Sequence, residues 1–325
     1  MPILYGADKA TVREITVSRG EGDRRLDKYL MKYMNTAPHS FIYKMLRKKR
    51  IKLNGARASG NEILCDGDII TLYLSDNTIS SFTVARALPK QAGDLDIVFE
   101  DDDILLLNKP AGMLVHSDTP CGSGDLASRL ICYLDSIGLL SDTFTPAPSN
   151  RLDRNTSGIV ACGKHPAAVR ALNEAKPEKF YIAAVLGIIN EADRLVGFIS
   201  KDHQSNEATV NSISFPGSKQ IITEFSPIGW GQGITLLRIK LVTGRTHQIR
   251  AQFMAAGFPV LGDPKYGNIQ INEQFALKSQ LLHAAEYKFT ANEGLLEKYY
   301  SSTFYAPIPE KFTTFIKTRI EGFAN

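Results

Sequence analysis

The sequence predicts an α+β protein built as two units, on three observations. Segments with apolar residues at helical spacing are interspersed with segments of strand-like alternation. Many strands have close neighbours across polar turns, with only a few helices between, which favours a mixed, largely antiparallel sheet with flanking helices and loops. The chain, at 325 residues, is long for one domain and comfortable for two, and its charge is unevenly spread. The expected division is a small α+β unit over residues 12–76, a linker over 77–93 and a larger α+β unit over 94–325.

In the small unit, residues 25–30 and 40–46 carry apolar side chains at helical spacing. Ser40 follows Pro38-His39 and is positioned to cap the second helix. Residues 51–55 alternate like a strand and end in Asn54-Gly55, a strong hairpin signal. Asp66-Gly67-Asp68 makes a second turn before a strand at 69–74. The stretch up to Gly93 is rich in Ser, Thr and Asn and reads as a linker with some strand content.

In the larger unit, residues 97–100 and 104–109 read as two strands around Asp101-Asp102-Asp103. Four consecutive acids, Glu100 to Asp103, suggest a magnesium site, but a polar hairpin turn is the stronger reading. Residues 179–187 read as a strand ending in a turn, and residues 234–241 as another. That strand feeds Thr243-Gly244-Arg245-Thr246-His247-Gln248-Ile249-Arg250, where a turn opens a helix. There is no internal repeat, no low-complexity tract, no Walker-type phosphate loop and no spaced dinucleotide glycines.

Composition narrows the function. Hydrophobic residues make 43% and charged residues 22%, ordinary for a globular protein. No segment has the roughly 18 apolar residues of a membrane helix, and the N-terminus lacks a signal-peptide pattern, so a cytoplasmic protein is expected. Cys65, Cys121, Cys132 and Cys162 form no Cys-x-x-Cys pair and read as small buried hydrophobes. His247 and His283 lie far apart with no third ligand in sight, so no metal is expected. The net charge is +4, yet residues 12–60 hold 13 Lys and Arg against four acids, a local +9. The remainder is therefore −5, and a basic module on a mildly acidic body points to a polyanionic partner.

The stretch most suggestive of chemistry is Asn150-Arg151-Leu152-Asp153-Arg154-Asn155-Thr156-Ser157-Gly158. Asp153 stands between two arginines, and positive neighbours hold a carboxylate ionised. An ionised carboxylate serves as nucleophile or general base. A Thr-Ser-Gly turn is expected after it, then an apolar run. Alone, the pattern also fits a solvated surface network.

The order helix, helix, basic hairpin, Ile51-Lys52-Leu53-Asn54-Gly55, then Gly67-Asp68-Ile69-Ile70-Thr71-Leu72 resembles the S4 RNA-binding domain. Four later stretches resemble the RluA-type RNA pseudouridine synthases: residues 108–116, the Arg-Leu-Asp stretch, residues 179–183 and residues 244–250. Residues 260–267 and 282–284 extend the match. With the S4-like module in front, the architecture resembles the large-subunit rRNA members of that family. The resemblance implies a pseudouridine-synthase fold and the isomerisation of uridine in RNA, without metal or organic cofactor. It makes Asp153 the essential catalytic residue. Arg151 then helps displace the target base, Tyr181 contacts it, and Arg250 pairs with the aspartate.

The implied RNA contacts are Arg24, Arg25, Lys44, Arg47, Lys48, Lys49, Arg50, Lys52 and Asn54 in the small unit, and Arg154, Arg245 and His247 in the larger one. Large-subunit rRNA is the favoured substrate, with tRNA the alternative, and a monomer is the default. A non-catalytic RNA-binding or ribosome assembly factor is the competing function. Two departures stand out. Asn150 replaces a histidine common before Arg-Leu-Asp, and Phe258 stands where His-Pro is common.

Overall fold

The computed structural model describes residues 12–85, 88–89, 93–117, 124–201 and 207–320. The small unit contains β1 (Val12–Thr16), α1 (Leu26–Tyr33), α2 (His39–Arg47), β2 (Ile51–Leu53), β3 (Ala56–Arg57), β4 (Ile69–Tyr73) and α3 (Asp76–Ser81). Its strands form an antiparallel sheet in the order β1-β4-β2-β3. Each of the first two helices buries a stripe spaced by four, Leu26 with Leu30 and Ile42 with Leu46, against Ile51, Ile70 and Leu72 of the sheet. Asn54 and Gly55 both take positive φ, 49° and 76°, as a two-residue hairpin loop requires.

Two local expectations shift here. Ser40 is not the cap of α2: the helix starts one residue earlier, behind Pro38, and has no side-chain cap bond. A proline with φ −62° sets the extended entry by itself. The stretch 77–93, expected as a linker with some strand, opens with α3 instead. Ser75 accepts a hydrogen bond from the Thr78 N–H and caps that helix, and Ile79 is buried in the core of the small unit. Residues 86, 87 and 90–92 of that stretch lie outside the described residues.

The larger unit runs β5 (Ile97–Glu100), β6 (Ile104–Lys109), α4 (Leu126–Ser136), β7 (Ser157–Gly163), α5 (Pro166–Glu174), β8 (Glu178–Leu186), β9 (Asp193–Lys201) and β10 (Ala208–Asn211). It continues with β11 (Lys219–Gly231), β12 (Ile234–Leu241), α6 (Gln248–Ala255), α7 (Ile269–Gln274), β13 (Leu282–Lys288), a 3₁₀ turn (Gly294–Tyr299), β14 (Thr303–Tyr305) and α8 (Glu310–Lys317). The strands form one sheet in the order β10-β9-β11-β12-β8-β13-β7-β6-β5, with β14 also on β13. Pairing is antiparallel except between β13 and β7, so the sheet is mixed and largely antiparallel. The fold class read from the sequence is the observed one.

Period-two alternation divides each central strand between two cores. Leu105 and Leu107, Val160 and Cys162, Tyr181, Ala183 and Val185, and Leu237 and Ile239 share one face with Leu130, Leu152, Ile249 and Phe253. The intervening residues Ile182, Ala184, Ile234 and Leu236 meet α8 on the other face. The first face carries the candidate site.

The expected Thr-Ser-Gly turn is displaced. The turn falls at Arg154-Asn155, and Ser157-Gly158 already belongs to β7. Gly158 has φ +114°, and a Cβ there would stand 2.2 Å from the carbonyl oxygen of Ala284. The glycine serves the close approach of β7 to β13 rather than a turn. The cysteine reading also needs correction at one position: Cys162 is buried, Cys132 half-buried and Cys65 exposed. Cys65 sits at the start of a polar turn, where its N–H donates to Asp68. Cys121 is outside the described residues.

Candidate active site

Asp153 lies in the loop that enters β7, and that loop is fastened from both sides. Asn150 donates to the carbonyl of Ile159 (3.2 Å) and accepts from the N–H of Ala161 (2.8 Å). Leu152 packs into the core, and the Thr156 N–H donates to the Asp153 carbonyl (3.0 Å). Lys109, at the end of β6, reaches beneath the loop with no exposed surface. Its ammonium donates to the carbonyls of Pro110 (2.9 Å), Met113 (2.9 Å) and Arg154 (3.1 Å). Burial pushes the Lys109 pKa down to about 8, with the negative charge of Asp153 opposing.

The partner of the Asp153 carboxylate comes from α6. His247, the residue before the helix, is left-handed at φ 57°. Gln248 secures that turn by accepting from the Arg245 N–H and donating to the Ile222 carbonyl and the Thr223 hydroxyl. Arg250 therefore enters the core with a set direction. Its Nη1 donates to Asp153 Oδ2 at 2.7 Å, while Nε and Nη2 form a fork on Asp263 at 2.6 and 2.8 Å. Burial works against the Arg250 cation, but the hydrogen bonds and charges of Asp263 and Asp153 outweigh it and raise its pKa. Burial likewise works against the Asp263 anion, and Arg250 together with the N–H groups of Tyr266 and Lys265 holds its pKa below the usual carboxylate range. The Asp153 side chain stays 22% exposed, whereas Asp263 is fully buried.

The remaining oxygen of Asp153 has His247 Nε2 at 3.9 Å. The other nitrogen of that ring is 2.9 Å from the Tyr266 hydroxyl, which also accepts the Ala208 N–H. Tyr181, 5% exposed on β8, faces the same space. Burial, and then the charge of Asp153, raises its phenol pKa, so the hydroxyl is a donor at neutral pH. Asp153, Tyr181, His247 and Arg250 line a cleft of about 760 Å³. Arg151, Arg154, Lys179, Arg245 and Lys265 also line it and make it cationic. Anionic groups are favoured in such a cleft.

All four residues expected to carry chemistry, Asp153, Arg151, Tyr181 and Arg250, meet in this cleft, with Arg154, Arg245 and His247 on its walls. Arg154 turns from Asp153 to the Gly112 carbonyl (3.1 Å). The basic residues of the small unit lie outside it. Lys44, Arg47, Lys48, Lys49 and Arg50 are exposed, and the Lys52 ammonium stands 5.2 Å from the Tyr73 ring. Arg24 is half-buried. Arg25 is committed to Asp27, Tyr43 and Asn61, and Asn54 holds its own hairpin through Asp68 and the Ile69 N–H. Lys109 and Asp263 were not singled out from sequence. The available signals were a lysine at the end of an apolar strand and an aspartate in an apolar loop, both poor candidates for solvation. Of the departures, Asn150 stitches the loop to β7, and Phe258 packs beside Gly187 at the core edge. Among the described residues, no cluster of three or more His, Cys, Asp or Glu could hold a metal ion, and no helix is long and apolar enough to cross a membrane.

Known proteins share this architecture. A family model described as RNA pseudouridylate synthase matches residues 103–255. The chain is 32% identical to ribosomal large subunit pseudouridine synthase C of Yersinia pestis, over 86% of this chain and 88% of the relative. It is 29% identical to YlyB of Bacillus subtilis, an uncharacterised RNA pseudouridine synthase, over 94% of this chain and 97% of the relative. The solved structure of human RNA pseudouridylate synthase domain containing 4 superimposes with a TM-score of 0.53 at 17% identity, covering 68% of this chain and 91% of that one. With the sequence motifs converging on one cleft and relatives aligned along most of its length, the chain belongs to the RluA-type RNA pseudouridine synthases.

Proposed function

We propose that this enzyme converts specific uridines of large-subunit ribosomal RNA to pseudouridine, with Asp153 as the acting carboxylate and no metal or organic cofactor. The observation that carries the reading is the asymmetric hold on Asp153: one oxygen is fixed by buried Arg250, while the side chain stays partly open to a cationic cleft. The reaction is redox-neutral. The N1–C1′ bond breaks, the uracil turns, C5 joins C1′, the hydrogen on C5 leaves to solvent as a proton, and N1 takes one up. An ionised carboxylate can begin it by attack at C1′ or by taking the 2′ proton. Arg250, itself held by Asp263, keeps that carboxylate aimed through one oxygen.

The cleft supplies the other roles. Arg151, exposed at its rim, takes the place of the displaced base, which offsets part of the few kcal/mol that unstacking costs. Tyr181 offers a ring face and a hydroxyl to the flipped uracil. The exposed basic run from Arg47 to Arg50 binds RNA backbone as an S4-like module. The large-subunit assignment is supported by the named function of the Yersinia pestis relative. Pseudouridine mapping of total RNA from cells with and without the gene tests it. Sites in large-subunit rRNA should disappear with the gene. Loss confined to tRNA would replace the substrate assignment, and no loss in any RNA would overturn the reading.

A further inference from the structure

The acidic turn between β5 and β6 takes no part in the chemistry above, yet it is crowded with partners. The Asp103 side chain is 3% exposed and is met by Arg19 Nη2 at 2.7 Å, His165 Nε2 at 2.9 Å and Lys298 Nζ at 2.6 Å. Burial opposes its ionisation, but Lys298 and His165 hold its pKa below the usual range, so it is an anion at neutral pH. Asp101 is engaged with the N–H groups of Asp103 and Ile104, with Lys298 and with Tyr299. Of the three partners of Asp103, Arg19 comes from the small unit.

The surrounding contacts are close on both sides. Gly20 has φ +74°, and a Cβ there would stand 2.1 Å from His165 Nδ1. Its carbonyl accepts the Ala167 N–H at 3.2 Å. Glu21, 1% exposed, accepts the hydroxyls of Thr143 and Ser141 from the larger unit. Asp23 and Arg170 add a pair at 3.6 Å. Asp66 ties the same loop back to its own unit by accepting the N–H groups of Gly20 and Gly22 at 2.7 and 2.8 Å. The loop is thus a plug held by both units, in contrast to the few contacts of an ordinary linker.

Its place is set by the sheet. β6 and β7 pair from Ile104 with Gly163, next to the plug, to Lys109 with Gly158, beside the cleft. Five strand steps at roughly 3.3 Å put the two ends about 17 Å apart.

We propose that the acidic turn is a socket clamping the small unit at one spacing from the cleft. Arg19, Gly20 and Glu21 are then positioning residues that make the enzyme select RNAs long enough to occupy the basic run and the cleft together. The proposal rests on the RNA-binding reading of the small unit. A rigid connection raises the effective concentration of the second site once the first is occupied, provided that the RNA spans both. Without the clamp, that advantage is diluted over many orientations.

The test has two arms. Spin labels are placed on exposed Cys65 and on Lys311→Cys of α8, with the other three native cysteines replaced. Pulsed dipolar spectroscopy should give one narrow distance in the full-length protein. Arg19→Glu should broaden it, and Arg19→Lys, which keeps the cation, should not. Kinetics on unmodified large-subunit rRNA transcript and on a short stem-loop carrying the mapped uridine form the second arm. Arg19→Glu should raise KM on the transcript about tenfold, leave kcat unchanged, and leave the stem-loop unaffected. A broad distance distribution in the unaltered enzyme, or a narrow one in Arg19→Glu, would overturn the clamp. A broadened variant with unchanged KM on the transcript would overturn the selection for length. If charge reversal at Lys48, Lys49 and Arg50 also leaves KM unmoved, the fault lies with the RNA-binding reading, whatever the distances show.

Discussion

Asp153 and Asp103 lie towards opposite ends of the β6–β7 pair, and each receives an arginine from a distant part of the chain at 2.7 Å. They differ in what is left over. Asp103 is buried to 3% and shared among an arginine, a histidine and a lysine. Asp153 has one oxygen firmly bound and a side chain 22% exposed to a cleft. A carboxylate used up by its partners holds structure together. One fixed through a single oxygen leaves the other open to the cleft. The number of acids in the local sequence is a poor guide, because the run of four forms the saturated site.

The largest effects should separate these two sites by kind. Asp153→Asn should reduce tritium release from C5-labelled uridine RNA by more than about 10³-fold. Its urea midpoint should stay near that of the unaltered enzyme. Asp103→Asn should do the reverse, costing about 1–2 kcal/mol of stability because the half-exposed Arg19 and Lys298 and the nearly buried His165 lose the anion they share, while kcat on a short RNA persists. Equal activity losses in the two variants would erase the distinction.

Arg250 sharpens the comparison from the cationic side. Arg250→Met would leave Asp263 charged, fully buried and without its fork. The expected cost is about 3–5 kcal/mol at pH 7, together with loss of activity as Asp153 is freed. Urea unfolding and label release measure the two effects. A variant as stable as the parent would show that Asp263 finds other compensation.

A smaller, pH-dependent effect belongs to His283, which supports the cleft end of β7. It is fully buried, its Nε2 donates to the Ala306 carbonyl, and its Nδ1 accepts the Ser157 hydroxyl at 2.9 Å. Burial pushes its pKa down to about 4, from an ordinary value of 6.5. Below 6.5 the unfolded chain therefore takes up a proton that the folded chain refuses. Stability falls as pH drops from 6.5 to 4, by about 3 kcal/mol in all, and this contribution is flat below that. His283→Gln should remove this part of the slope in urea titrations at pH 7, 5.5 and 4. An identical slope in both proteins would assign the acid sensitivity elsewhere.

The strands from Ile97 to Lys109 and from Ile234 to Leu241 were legible because alternation and polar turns are local. The Asn54-Gly55 hairpin was legible for the same reason. The pairing of Asp153 with Arg250, 97 positions away, could come only from resemblance, since no periodicity encodes it. Lys109 beneath the loop, Asp263 behind Arg250 and the Arg19–Asp103 contact were not legible. Each is a polar group whose partner is chosen by the tertiary fold. The Thr-Ser-Gly misreading has the same origin: a glycine signals freedom in φ or lack of room, and only the packing of β7 on β13 decides which.

Asn150 gives the smallest effect and asks whether the departure from the family pattern lies on the structural or the chemical side of the comparison. Its amide exchanges two hydrogen bonds with the backbone of β7, at Ile159 and Ala161, and so fixes the start of the loop carrying Asp153. Asn150→Ala would leave a carbonyl and an N–H unpaired, at a cost of about 1–2 kcal/mol. Because Arg250 and Lys109 hold the loop independently, kcat should change by less than about threefold, which is about 0.7 kcal/mol in the barrier. KM on a short RNA should be unaltered. A stable variant whose KM rises tenfold would place Asn150 against the substrate, and would make this position a point at which the choice of uridine is set.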